Sequence, residues 1–230
     1  MKLSDRLENL ISLVPPGTAL ADIGTDHAFT AIELVRRGIC PKVIATDVRK
    51  GPLKIAQSHV EEAGLAEKIK LRRGDGLEPL SPGETDGILI AGMGGPLMER
   101  ILSEGREKAQ AAKFLILSPQ SEIPHFRVFL QENGYAVKQE KLLNEEGKVY
   151  FIFLAEPGEE APLSETEAAF GRHLLADPTP ELEGFILHEK RIAERILDIL
   201  PGEISLEERR KELERIIRVA QEALDRIRSR

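Results

Sequence analysis

Apolar residues in the first 155 positions fall into short runs separated by stretches with helical spacing. Leu3, Leu7, Leu10 and Val14 recur every three to four residues and predict a helix over 2–14, stopped by Pro15-Pro16-Gly17. Residues 19–23, 43–46, 86–91 and 114–117 are mostly small or apolar runs of strand length, as in strands buried on both faces. Residues 68–72 alternate instead, the pattern of a strand with one wet face. Between these runs, helices are predicted over 28–37, 52–63, 97–104 and 121–133. Two further strand-like runs, 135–142 and 149–154, flank Asn144-Glu145-Glu146-Gly147 and predict an antiparallel hairpin. The pattern predicts an α/β fold: a mostly parallel seven-stranded sheet with a terminal antiparallel hairpin.

Past Glu156-Pro157-Gly158 the chain turns helical, which divides it into domains at 1–157 and 158–230. Ser164 with Glu167 is a capping box, and Asp177-Pro178-Thr179-Pro180 ends one helix and begins the next. Leu182, Ile186, Ala193, Ile196 and Leu200 then lie on one stripe, interrupted by Glu189. Pro201-Gly202 turns the chain, Ser205 with Glu208 makes a second capping box, and Leu206, Leu213, Ile217, Ala220, Leu224 and Ile227 repeat the pattern. Two such helices predict a C-terminal antiparallel coiled-coil helical hairpin. Its stripe can pair within the chain or between chains, so a monomer and a coiled-coil-assisted dimer are both open.

Charge sharpens this division. The net charge of −7 is spread unevenly: residues 1–155 carry 20 Lys and Arg against 21 Asp and Glu, residues 156–208 carry 4 against 14, and residues 209–230 carry 8 against 4. The terminal helix therefore has a basic face, with Arg209, Arg210, Arg215 and Arg218 as candidate contacts to RNA phosphates; the same charges also suit a solvated face with intrahelical pairs. No apolar run is long enough to span a bilayer and the amino terminus lacks a signal-peptide core, so no membrane association and a cytoplasmic location are expected. The single cysteine, Cys40, excludes an intramolecular disulfide, and the scattered histidines show no metal-ligand spacing, so no metal is expected.

The chemistry concentrates where predicted strands end. After 19–23 comes one glycine, Gly24, flanked by Asp22 and Asp26. A dinucleotide fingerprint needs three glycines to approach a pyrophosphate, and two carboxylates repel one. They suit a ligand bearing an ammonium or sulfonium charge and sugar hydroxyls, such as S-adenosylmethionine; Asp26 or Thr25 serves equally as an ordinary helix N-cap. Asp47 ends the second strand 23 residues after Gly24, near the distance at which an acidic residue takes ribose hydroxyls, although it also suits a cap for the next helix. Asp75 sits between Gly74 and Gly76, where a carboxylate can meet an adenine amino group or simply occupy a turn. The fourth strand opens into Gly92-Met93-Gly94-Gly95-Pro96, a density of glycine that points to positive φ or close approach by a ligand.

Asp22-Ile23-Gly24-Thr25-Asp26-His27-Ala28-Phe29, Asp47, Gly51-Pro52-Leu53, Gly74-Asp75-Gly76-Leu77 and Ala91-Gly92-Met93-Gly94-Gly95, in this order, resemble the bacterial tRNA (adenine-22-N1)-methyltransferases, the TrmK family. The resemblance covers about residues 3–155 and implies a Rossmann-like class I methyltransferase domain, with the helical tail as the family's coiled-coil appendage. It implies methyl transfer from S-adenosylmethionine to N1 of adenine 22 in the D arm of tRNA. The implied cofactor site comprises Asp22, Ile23, Gly24, Thr25, Asp26, His27, Asp47, Val48, Asp75, Gly76, Ala91, Gly92 and Met93. Asp26, His27, Gly92, Met93 and Gly94 are implied at the reacting centre. Two departures from the family's pattern stand out: Phe29 where Tyr is usual, and Ser118-Pro119-Gln120 where Gln-Pro-Asn is usual. Other readings of the same fold are a methyltransferase for another RNA position or a small molecule, and a catalytically silent RNA-binding protein. The four carboxylates Asp22, Asp26, Asp47 and Asp75 argue against silence.

Overall fold

The computed structural model describes residues 3–201 and 206–229. Contacts divide the chain into two compact units, Met1–Glu160 and Ala161–Arg230.

The first unit is built on a seven-stranded sheet of order β3-β2-β1-β4-β5-β7-β6. Strands β1 (Leu20–Ile23), β2 (Val43–Asp47), β3 (Ile69–Arg73), β4 (Gly87–Met93) and β5 (Phe114–Pro119) run parallel. β7 (Lys148–Pro157) lies antiparallel between β5 and β6 (Tyr135–Glu145). All four residues of β1 and all five of β2 are buried, which is why they read as continuous runs. β3 is an edge strand, so only Ile69 is fully buried and the sequence alternates. Among the described residues six helices complete the unit: α1 (Asp5–Ser12), α2 (Phe29–Arg36), α3 (Lys50–Glu62), α4 (Gly95–Glu104), α5 (Arg106–Ala111) and α6 (Ile123–Glu132).

Three features differ from the sequence reading. α1 is shorter, running from a Ser4 cap whose hydroxyl accepts the Leu7 N–H at 3.3 Å to Ser12. The sequence pattern does not predict α5, which buries only Ala109 and carries no apolar stripe. The hairpin strands extend to Glu145 and from Lys148, because Glu146 (φ 51°) and Gly147 (φ 79°) form a two-residue left-handed turn between them. The strand order reverses at β1, which pairs with β2 on one side and β4 on the other. That reversal opens a crevice beyond the carboxyl ends of β1 and β4.

The second unit contains α7 (Glu165–Phe170), α8 (Arg172–Ala176), α9 (Pro180–Ile199) and α10 (Glu207–Arg228). The Ser164–Glu167 capping box forms in both directions. The helix it starts ends sooner than expected, at Gly171 (φ 88°), where α8 takes over. The expected turn at Gly202 and cap at Ser205 lie outside the described residues. α10 packs on α9 and also on α7 and α8, so it buries Val219 and Ala223 beside Leu213, Ala220 and Leu224. Its apolar face is thus wider than a two-helix seam requires. Among the described residues no helix is long and apolar enough to cross a membrane.

Candidate active site

Beyond Ile23 the chain makes a tight turn in which Gly24 (φ 75°), Asp26 (φ 50°) and Ala28 (φ 59°) are all left-handed. The last two carry side chains that disfavour this region, at a cost of about 1–3 kcal/mol each, and such strain collects at functional sites. The turn is tied to β2, since the N–H groups of Gly24 and Thr25 both donate to the Thr46 carbonyl at 2.8 and 2.9 Å. Asp22 is buried beneath it, and the Thr25 hydroxyl donates to its Oδ2 at 2.6 Å. Burial pushes the Asp22 carboxyl up to about 6, against the opposing pull of the Thr25 hydrogen bond.

Asp47 is buried at the end of β2, and its Oδ1 accepts the Arg49 N–H at 2.7 Å. Among the described residues the hydrogen bonds to this carboxylate fall on Oδ1, which leaves Oδ2 for a ligand. Asp75, half exposed, receives both bonds from Arg100 Nη2 at 3.1 Å. Gly76 (φ 50°) lies against Ile101, 3.0 Å from where a Cβ would stand. Val48, exposed in the same cavity wall, offers an apolar face to a planar ring.

At the end of β4 a bulge shifts the pairing with β5 between Ala91 and Met93. Gly92 (φ 80°) is the extra residue, and the Gln120 N–H donates to the Met93 carbonyl at 2.9 Å. The Met93 thioether methyl occupies the space a Cβ on Gly24 would need. Gly24→Ala must therefore displace Met93 as well as adopt an unfavourable φ. It is expected to destabilise the fold by about 1–2 kcal/mol and to weaken cofactor binding, which thermal melts and calorimetry would read.

One cavity of about 670 Å³ gathers these groups. Its walls include every residue of the implied cofactor set, Asp22 to His27, Asp47, Val48, Asp75, Gly76 and Ala91 to Met93. Gly94 is outside it, as the N-cap of α4, where Gly95 packs against the Ser121 backbone. Also in the walls, beyond the implied set, are Arg6 from α1, Leu97, Arg100 and Ile101 from α4, Thr46 and Gln120. The Thr46 Oγ1 is buried without a hydrogen-bond partner, a further candidate ligand group. Ser118, by contrast, is buried outside the cavity wall. Phe29 stacks on His59 at 5.0 Å, and His59 Nδ1 meets the His27 carbonyl at 3.0 Å, so the ring without a hydroxyl still braces the turn. His27 lies 3.3 Å from Asp26 through Nε2, while its Nδ1 is buried and unpartnered.

The basic face on α10 is engaged with carboxylates of its own unit. Arg209 pairs with Glu212, Arg215 with Glu165, and Arg218 with both Glu165 and Glu222; Arg210 donates to the Leu200 carbonyl.

The donor set suits an adenosine bearing a cationic amino-acid tail. Buried Asp22, Thr46 and Asp47 and exposed Val48 line the cavity, and the volume matches a small-molecule site. A family model described as a methyltransferase domain matches residues 3–153. The tRNA (adenine(22)-N(1))-methyltransferase of Bacillus subtilis is 40% identical over 159 residues, 69% of this chain and 67% of that protein. The chain belongs to this methyltransferase family. Its likeness extends to the helical unit. The Mycoplasma capricolum TrmK, solved with S-adenosyl-homocysteine, superposes with a TM-score of 0.88 at 26% identity over 99% of this chain and 100% of that one. A Streptococcus pneumoniae relative solved with S-adenosyl-L-methionine gives a TM-score of 0.88 at 36% identity, covering 97% and 100%.

Proposed function

We propose that this methyltransferase transfers a methyl group from S-adenosylmethionine to N1 of adenine 22 in tRNA, in the cytoplasm. The observation that carries the reading is the single cavity that joins Asp22, Asp47 and Asp75 to the Gly92-Met93 bulge. Asp22 faces the ammonium end of the cofactor, Asp47 takes the ribose hydroxyls, and Asp75 takes the adenine amino group on releasing Arg100. Bound there, S-adenosylmethionine supplies an electrophilic methyl on a cationic sulfur.

Adenine N1 carries an in-plane lone pair and needs no prior deprotonation. The protein's task is alignment and exclusion of water. N1 lies on the Watson–Crick edge, so the base enters unpaired or flipped out. The Gly92-Met93 bulge lets the ring approach closely, since Gly92 offers no side chain at that point. As the N1–carbon bond forms and the sulfur–carbon bond breaks, the ring gains the positive charge that the sulfur loses. Asp26, more than half exposed at the cavity mouth, stabilises that charge, and His27 orients the base. Arg209, Arg210, Arg215 and Arg218 supply phosphate contacts along α10, exchanging their carboxylate and carbonyl partners for RNA.

The test is incorporation of labelled methyl from S-adenosylmethionine into unmodified tRNA transcripts carrying adenine or guanine at position 22. Label only in the adenine transcript, recovered as 1-methyladenosine, is expected. Label at another position keeps the cofactor and sinks the site. No label, with cofactor binding intact, sinks the substrate.

A further inference from the structure

Gln120 follows β5 directly and is exposed in the cavity wall, where its side-chain amide makes no hydrogen bond among the described residues. Its Nε2 lies 3.9 Å from the point where a Cβ on Gly92 would stand. A free amide therefore overhangs the bulge where methyl transfer is placed. The main chain beneath it is braced. The Gln120 N–H donates to the Met93 carbonyl at 2.9 Å, and the Ser121 hydroxyl accepts the Gly95 N–H at 3.3 Å. The Ser121 carbonyl comes within 2.5 Å of where a Cβ on Gly95 would stand, so the exits of β4 and β5 meet backbone to backbone. Pro119 fixes φ on one side of Gln120. On the other, Glu122 is held left-handed at φ 55°, the kind of strain that collects at functional sites. An unengaged side chain on a braced turn is what a positioning group requires.

An amide carries a donor and an acceptor side by side. No other side chain among the described residues of the cavity wall does. Carboxylates only accept, guanidinium groups only donate, a hydroxyl offers both at one atom, and an imidazole holds its two nitrogens on different sides of the ring. Adenine presents the matching pair on two edges, N6 with N7 and N6 with N1. An amide on the N6–N1 edge would occupy the lone pair that attacks the methyl. On the N6–N7 edge it leaves N1 bare and fixes the ring in its own plane.

We propose that Gln120 holds the N6–N7 edge of the target adenine and so presents N1 to the methyl. Its Oε1 accepts from the N6 amino group and its Nε2 donates to N7. His27, from the turn after β1, cannot span two atoms of one edge. The inference rests on the reading of adenine N1 as the methyl acceptor.

The experiment measures kcat/KM for transcripts carrying adenosine or 7-deazaadenosine at position 22, with wild type, Gln120→Leu and Gln120→Glu. The analogue replaces N7 by a carbon and keeps N1 and N6. Gln120→Leu removes donor and acceptor; Gln120→Glu keeps the shape and the acceptor but loses the donor. Both keep the main-chain bond to Met93. The ratio of adenosine to 7-deazaadenosine is expected to shrink by about 5- to 100-fold from wild type to either variant, with S-adenosylmethionine affinity by calorimetry unchanged. Any effect of the missing nitrogen on N1 itself is common to the three enzymes and drops out of that comparison. The same ratio in all three overturns the proposal, whatever the variants' absolute rates. So does a Gln120→Leu variant that loses S-adenosylmethionine affinity by as much as it loses kcat/KM, since that places the side chain on the cofactor. A wild type that binds S-adenosylmethionine but labels neither transcript overturns the tRNA reading and this inference with it. The failures are separately visible, because in the first two the wild type turns over.

Discussion

Asp22→Asn is expected to make the ligand-free protein more stable and to weaken its hold on the cofactor. The carboxyl is buried and, among the described residues, its only side-chain hydrogen bond comes from Thr25, so burial raises it from an ordinary 3.8 to about 6. That displacement corresponds to about 3 kcal/mol against the ionised form at neutral pH. The sign follows from proton binding. Between pH 3.8 and about 6 the folded protein holds a proton that the unfolded chain has released, so the contribution of Asp22 to stability declines as pH rises through this window. Asn keeps the shape and can still accept from Thr25, but carries no charge to desolvate. Its variant should melt higher at pH 7.5 and lose most of the advantage at pH 4. Cofactor binding should move the other way, because the cationic tail loses its buried counter-charge. A weakening of about 10- to 100-fold is expected at pH 7.5, narrowing below pH 6 as the wild-type carboxyl takes up its proton. Paired thermal melts and calorimetry at pH 5 and 7.5 check both halves. An Asn variant that melts no higher and binds no more weakly would remove Asp22 from the site.

The parts of this site that the sequence makes legible are those fixed by local backbone. Gly24, Gly76 and Gly92 stand at positive φ, and a glycine at a strand end announces that requirement. Asp22, Asp47 and Asp75 follow from where β1, β2 and β3 end, since parallel strands end together at one edge of the sheet. Arg6, Arg100, Ile101 and Gln120 belong to elements whose patterns look like any amphipathic helix or strand exit. Their approach to the cavity is set by how α1 and α4 pack, which no local spacing encodes. The same limit applies to α10. Its arginines are plain in the sequence, but their pairing with Glu165 depends on α7 lying against α10. The break at Gly171 is hidden because a lone glycine after Phe170 reads equally as a tolerated helical residue.

Arg127→Ala is expected to be among the most destabilising single changes outside the cavity, and to be rescued by a second change. Arg127 of α6 and Glu140 of β6 form an ion pair with both side chains 2% exposed, through Nε at 2.9 Å and Nη2 at 2.6 Å. The guanidinium also lies 5.1 Å from the centre of the Phe151 ring and 5.7 Å from that of Phe153, on β7. Removing one partner leaves a buried carboxylate without its cation, at about 3–5 kcal/mol. Replacing both by apolar residues of similar size, Arg127→Met with Glu140→Leu, removes the desolvation penalty as well as the attraction and should recover most of the loss. Denaturant unfolding of the two single variants and the double variant measures this directly. Equal loss in the double variant would mean that the pair is net stabilising in its own right. The pair also bears on the cavity. It clamps α6 to the hairpin whose far end presents Glu145 and Tyr150 to Arg6. Arg127→Ala should therefore loosen the hairpin's hold on α1 while leaving Asp47, which β2 carries, in place. Calorimetry with adenosine, which engages only the nucleoside end, should accordingly give an affinity near the wild-type value in Arg127→Ala.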